Sequence, residues 1–423
     1  MRGFARWASV LWLAASFAGL AGAYSVLTHE QLIDLAWNQL IRPLLVARYP
    51  KTTAAQLQVA HAYAYGGCAI QDTGYYPFGH EFFSDLTHYV RTGDFIMHLL
   101  RDARDANEYA FALGALSHYV GDNIGHHDAV NRATALSFPK LAKRFGPIVT
   151  YDENPHAHVR TEFAFDIAQL NKRRLAPAAY LRFVGLRVST RVLQQAFTET
   201  YGLSLRSVLG PERPAVRSYR TSVRSWIPRF AHAENLIHAD DFPADTDGHE
   251  LELYLQYLSE TEFQKVWSRY RRQPGVLTHL TAVLIRIVPK IGPLSVLAIA
   301  VPTEQTEQMY ITSVNRSIEL YRELLTRLRG DAIPFVPDRD LDTGEATKPG
   351  AYKLTDETYA KLLARITNDP ARTIPADLQQ DILHFYADPN APIHTKKNAK
   401  EWERVQAELR VLGSMKTGGV NGF

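Results

Sequence analysis

The stretch His118-Tyr-Val-Gly-Asp122-Asn-Ile-Gly-His126-His127 ends an apolar segment that begins at Ala106, and its reading decides the fold. Ala106–Ile124 reads as a helix. On a helix, residues four apart stand one above the other on the same face. His118 and Asp122 therefore project together, and His126 joins them if the helix runs on past Gly125. An imidazole and a carboxylate at this spacing grip one metal ion without moving the backbone. His127 is an alternative to His126 as the next ligand.

Outward from this segment the chain keeps a helical texture. Leu32, Ile33, Ala36, Leu40 and Leu44 recur at three- and four-residue intervals, which predicts a helix over Leu27–Ala47. Thr28 reads as its N-cap, with Gln31 completing a capping box. Further helices are expected at Ala54–Tyr65, Phe82–Thr92, Phe95–Ala103, Val159–Ala168, Pro177–Tyr201 and Glu250–Gln273. Alternating strand patterns and Asn-Gly hairpins are hard to find, so the expected fold class is all-α.

Loops are marked by Gly66-Gly67, by Gly74-Tyr75-Tyr76-Pro77 and by Phe145 to His156. Leu277–Val301 is very apolar, but Arg286, Pro289, Lys290, Pro293 and Pro302 interrupt or bound it. It reads as a buried helix pair, with insertion into a lipid surface as the alternative. Gly330–Tyr352 carries Pro and Gly and reads as a linker or wrapping arm. A helical tail follows near Asp356–Ile366, Ala376–Ala387 and Lys400–Leu412.

The first 23 residues read as a cleavable secretory signal. Arg2 and Arg6 precede an apolar run from Trp7 to Leu20, and Ala21-Gly22-Ala23 supplies the small-x-small cleavage pattern. The run is short for a spanning helix. Cleavage would expose Tyr24 as the new N-terminus and place the mature protein outside the cytoplasm, secreted or periplasmic. It takes the formal charge of the 423-residue chain from +3 to +1. Neither value describes a nucleic-acid-binding stripe, so no stable nucleic-acid partner is expected. Cys68 is the single cysteine, which excludes an intramolecular disulfide and any zinc site built on several cysteines.

The histidines are unevenly placed. Ten of the 16 fall between His29 and His158, and neutral imidazole is the commonest metal ligand. A second four-residue pair, His158-Val-Arg-Thr-Glu162, lies within 45 residues of the first. One such pair is ordinary surface pairing; two among further histidines point to metal. Asp72 in its Gly/Pro-bounded loop, His88, and His29 in the first mature helix can complete the shell. His61, His80, His98 and His156 read as supporting or core residues. His232, His238 and His249, with Asp240, Asp241 and Asp245, read as a polar loop.

In this order the residues resemble the bacterial zinc-dependent phospholipase C family and, more distantly, the three-zinc single-strand nucleases. The resemblance covers Tyr24 to about Thr200 by motif, and it implies a multi-helix phospholipase C/nuclease-like bundle. It divides the chain into a signal at 1–23, a helical domain at 24–330, and a linker with a helical C-terminal extension at 331–423. It also implies up to three Zn²⁺ ions. Asp72, His88, His118 and Asp122 would hold one, and His126, His158 and Glu162 a second. The third would take His29, a bridging Asp122, and the amine and carbonyl of Tyr24. Tyr stands where the family usually places Trp, and the tail after residue 330 has no counterpart.

Clustered zinc suits phosphodiester hydrolysis, because the ions make hydroxide near neutral pH and neutralise charge on the reacting oxygens. Asp72 is the expected base, by resemblance and by residue type, with Glu162 as the alternative. Tyr75, Tyr76 and Phe78 are candidates to line the substrate pocket. The expected substrate is a phospholipid or another phosphodiester, reached with transient membrane-surface contact. A nuclease on the same scaffold is the alternative function, and a non-catalytic zinc-binding surface protein comes last.

Overall fold

The computed structural model describes residues 26–266, 269, 275–287, 298–330 and 333–418. The expected signal, Tyr24 and residues 288–297 of the Leu277–Val301 stretch lie outside the described residues. Within them the architecture is all-α, and the strand content is one parallel pair, β1 (Ile374–Pro375) with β2 (Thr417–Gly418).

The fold is organised around α5. It is preceded by α1 (Val26–Ala36), α2 (Ala54–Gly67), α3 (Glu81–Tyr89) and α4 (Thr92–Asp102), and itself spans Ala106–Gly125. The Asp105 carboxylate caps α5 by accepting from the amides of Asn107 and Glu108, both at 2.9 Å. From Tyr109 to Asn123 every residue of α5 is buried, because α1, α2, α4 and a long C-terminal helix pack around it. Truncating Leu113 or Leu116, which have no exposed surface, would cost about 2–5 kcal/mol.

The crossing of α2 over α5 is close enough to require glycine. A Cβ at Gly67 would lie 2.1 Å from the Phe111 carbonyl oxygen, and one at Gly114 would lie 2.2 Å from that of Ala64. This contact seats Cys68, the residue that ends α2, against His118.

The remaining helices complete the shell: α6 (Pro155–Asn171), α7 (Thr190–Tyr201), α8 (Ile227–Ile237), α9 (His249–Ser259), α10 (Val276–Ile287) and α11 (Glu304–Leu328). The tail forms α12 (Lys353–Thr367), α13 (Ala376–Phe385) and α14 (Ala399–Ser414). Tail residues Leu341, Leu363, Ile382 and Leu412 share one buried apolar cluster with Leu113 and Leu116 of α5.

Four local expectations are corrected. The Thr28–Gln31 capping box does not form, because Thr28 lies inside α1. The amides of Leu27 and Thr28 instead reach the Asp166 carboxylate of α6 at 3.0 Å, and the Thr28 hydroxyl donates to it at 2.6 Å. A charged acceptor at a helix N-terminus outcompetes a local hydroxyl. Gln31 donates instead to the Arg174 carbonyl at 2.8 Å.

Pro177–Tyr201 is two helices rather than one. Gly185, at φ 89°, ends the first, and the backbone stays extended until α7 begins. Glu250–Gln273 likewise stops at Ser259 before a short turn at Glu262–Lys265.

In the described part of Leu277–Val301, α10 is not buried. It packs Ala282 and Ile285 against Phe230 and Ala233 and exposes Leu277, Leu280 and Val283. No helix among the described residues is long and apolar enough to cross a membrane.

Candidate metal centre

Six elements deliver the sequence-predicted ligands to one buried region. His29 comes from α1, Asp72 from a 3₁₀ turn at Gln71–Tyr75, and His88 from α3. His118 and Asp122 come from α5, His126 from the π-turn His126–Val130 that continues it, and His158 and Glu162 from α6. All eight are at most 2 % exposed. Tyr24 lies outside the described residues.

The eight form three groups, each with ligand atoms within 4.8 Å of one another: His29, His118 and Asp122; Asp72, His88 and His118; and His126, His158 and Glu162. Asp122 joins the first two. Its Oδ1 is 3.2 Å from His29 Nε2, and its Oδ2 is 3.1 Å from His118 Nε2 and 3.4 Å from His88 Nε2. His88 Nε2 is also 3.4 Å from Asp72 Oδ1. In the third group Glu162 Oε1 is 2.8 Å from His158 Nδ1 and 3.5 Å from His126 Nε2.

These separations fit a metal. Ligand atoms about 2.0–2.1 Å from a tetrahedral zinc lie roughly 3.3 Å from each other. The hydrogen bonding agrees. Asp72 Oδ1, both Asp122 oxygens, His126 Nε2, His158 Nδ1 and Glu162 Oε1 are buried and make no hydrogen bond among the described residues. Buried polar atoms are rarely left so.

The outer nitrogens of four of the imidazoles are held from behind. His118 Nδ1 meets the Cys68 carbonyl at 3.1 Å, His88 Nδ1 the Ser84 carbonyl at 2.8 Å, and His126 Nδ1 the Leu341 carbonyl at 2.6 Å. A carbonyl only accepts, so Nδ1 carries the hydrogen and Nε2 presents its lone pair to the centre. His158 is reversed. Its Nε2 donates to Asn131 Oδ1 at 2.9 Å, while the Asn131 amide is oriented by the Asp342 carbonyl at 2.8 Å.

Electrostatics separate the carboxylates. Burial pushes the Asp122 carboxyl up, but His118, His29 and His88 more than offset it and hold it well below the usual range. His88 is raised in turn: burial lowers it, and Asp122 and Asp72 overcome that. Burial pushes Glu162 up to about 8 against the pull of His126, and lowers His158 to about 4.

His126 faces Glu162, whereas His127 is exposed beside Asp128 and Glu345. The aromatic loop is divided. Tyr75 sits 6.0 Å from the His88 ring, Tyr76 is buried against Tyr219, and Phe78 is 62 % exposed. His61 stacks on Trp37, His98 bonds Thr200, His80 caps α3, and His156 is exposed. Asp245 pairs with Lys172 and Arg174.

Sequence reading missed the residues that close the site from the C-terminal side. The arm after residue 332 returns across α3 and α5. The Leu341 amide donates to the His88 carbonyl at 3.0 Å, while the Leu341 carbonyl accepts from His126. Asp342 Oδ2 receives the hydroxyls of Tyr89 at 2.9 Å and Tyr352 at 2.7 Å, and its Oδ1 lies 3.8 Å from His126 Nδ1. Gly344, at φ 72°, lets the arm turn where a Cβ would strike the Asn123 carbonyl at 2.3 Å. A backbone carbonyl has no sequence signature, but the alternating Asp338, Asp340 and Asp342 were a visible sign.

Residues 28–210 match the family model described as zinc dependent phospholipase C. No curated protein and no solved structure matches the chain. The matched region contains all eight converging residues and stops short of the arm that braces them. Across residues 28–210, therefore, the chain is similar to the zinc-dependent phospholipase C family.

Proposed function

We propose that this protein is a secreted zinc-dependent phosphodiesterase that cleaves the glycerol–phosphate bond of phospholipid head groups. The observation that carries the reading is Asp122, a carboxylate whose two oxygens face three imidazoles in a region closed to solvent. A monoanion placed this way is suited to bridging two cations. The donors suit zinc, since imidazole and carboxylate are its ordinary non-sulfur ligands.

In this reading Asp72, His88, His118 and Asp122 would hold one ion, His126, His158 and Glu162 a second, and His29 and Asp122, with the Tyr24 terminus, a third. Zinc held there would supply an acidified water and positive charge for the phosphate oxygens. Asp72 is the residue we assign to accept a proton from the attacking water and return it to the leaving group. In the net hydrolysis the water oxygen joins phosphorus, the bond from phosphorus to the glycerol oxygen breaks, and that oxygen leaves as the alcohol with the returned proton. The Asp72 Oδ1 atom is buried and has no hydrogen-bond partner among the described residues, which supports this role. We assign substrate contact to Tyr75 among the aromatic loop residues, a role supported by its ring lying 6.0 Å from that of His88.

The test combines elemental analysis of protein beginning at Tyr24 with a substrate panel. Up to three zinc ions and release of diacylglycerol from phospholipid are expected, with activity lost to a chelator and restored by zinc. Hydrolysis of single-stranded nucleic acid in place of lipid would transfer the site to the nuclease reading. At most one bound ion would overturn the multinuclear assignment.

A further inference from the structure

Helix α1 carries His29 toward the metal centre and two acidic residues, Glu30 and Asp34, elsewhere. Glu30 and Asp34 are four residues apart and share one face. Both are 3 % exposed, and both line a cavity between α1, the end of α6 and α8. Its other walls include Leu27, Leu170, Leu181 and His232. None of the ligand atoms described above belongs to it.

The two carboxylates are incompletely satisfied. Asp34 Oδ1 accepts the Tyr65 hydroxyl at 2.5 Å, but Asp34 Oδ2 and Glu30 Oε2 are buried with no hydrogen-bond partner among the described residues. No Lys or Arg of the described residues forms an ion pair with either; the nearest basic group to Asp34 is His61, 3.8 Å from Oδ1. Buried carboxyls without partners are unfavourable as anions unless something positive or hydrogen-donating meets them; otherwise they are held protonated.

We infer that this cavity is a binding site for a primary ammonium group, with Glu30 Oε2 and Asp34 Oδ2 as its acceptors. Three features select that chemistry. The apolar walls suit an organic cation with a short alkyl stem. The metal-competent groups of the described residues are the three at the main centre, and none includes Glu30 or Asp34, so a metal ion lacks a preformed set of ligands here. The cavity is tight, with room for about one water-sized group. An –NH₃⁺ head is water-sized and carries three donors, whereas a trimethylammonium head is several times larger and carries none. The site stands independently of the phosphodiesterase reading, since binding is read without turnover.

The test is calorimetric titration of the zinc-loaded protein with ethylammonium chloride, and with tetramethylammonium chloride at matched ionic strength. Saturable binding of ethylammonium alone is expected, weakened at least tenfold in Glu30→Gln and also in Ala178→Leu. The second substitution fills the cavity without altering its charge, so it decides the matter should Glu30→Gln fail to fold. No saturable binding by the parent protein would show that the cavity holds only water and would overturn the proposal. Equal binding of the two cations, or unchanged binding in both variants, would overturn it as well.

Discussion

His126 donates its Nδ1 hydrogen to the carbonyl of Leu341, 215 residues later in the chain, at 2.6 Å. The residue next to that carbonyl, Asp342, is fixed by the hydroxyls of Tyr89 and Tyr352. One short piece of the arm thus sets the tautomer of His126 and orients Asn131, which in turn orients His158.

Asp342→Asn should therefore weaken zinc at the His126, His158 and Glu162 group by about 10–100-fold, the usual effect of removing a group that orients a ligand. The amide keeps the size of the side chain but loses the anionic acceptor for two tyrosines. Competition with a graded chelator measures it. Unchanged zinc affinity would mean that the arm merely covers the site.

Asp122→Asn is expected to reduce turnover by more than ~100-fold, exceeding that range because Asp122 faces the ions directly. His80→Ala should remain within a few-fold of the parent. His80 is exposed and only caps α3, accepting from the Phe82 amide at 3.2 Å. Comparable losses from the two substitutions would show that the shells are misassigned.

Signal removal should complete the site. His29 stands five residues after Tyr24, and a free amine has a lone pair to give whereas an amide nitrogen does not. Protein carrying a few residues ahead of Tyr24 should hold one zinc fewer and turn over slowly, with an unchanged circular dichroism spectrum. Equal zinc content and equal rates would remove the terminus from the ligand set.

Acid sensitivity should arise partly from His61. It stacks on Trp37 at 3.8 Å, and burial lowers it to about 3. The folded protein therefore keeps His61 neutral, while the unfolded chain takes up a proton as the pH falls through about 6.5. Its contribution is intact above pH 6.5 and is lost progressively down to about pH 3, at about 1.4 kcal/mol per pH unit. Urea denaturation at pH 6.5 and pH 4 should show a loss about 3 kcal/mol smaller in His61→Phe than in the parent. Parallel pH slopes would contradict this assignment.

The sequence by itself determined the all-α class and the helix that carries His118 and Asp122, because periodicity is a local property, but it ran together helices that end at Val184 and Ser259. It also determined the pairs His118/Asp122 and His158/Glu162, because four-residue spacing on a helix needs no tertiary information. It could not choose between His126 and His127. That choice depends on the π-turn after Gly125, which turns His126 to Glu162 and leaves His127 at the surface. Thr28 misled for a similar reason: a local cap motif is overridden when packing brings the Asp166 carboxylate to the same amides. Leu277–Val301 misled because apolar content does not say which face meets a partner, and α10 buries only Ala282 and Ile285 of the stripe that it shows. Only tertiary structure could reveal Leu341 and Asp342, since a carbonyl acceptor has no residue signature. The Glu30–Asp34 cavity was equally hidden. Only the neighbouring α6 and α8 take these two acids out of bulk solvent and give them a shared cavity.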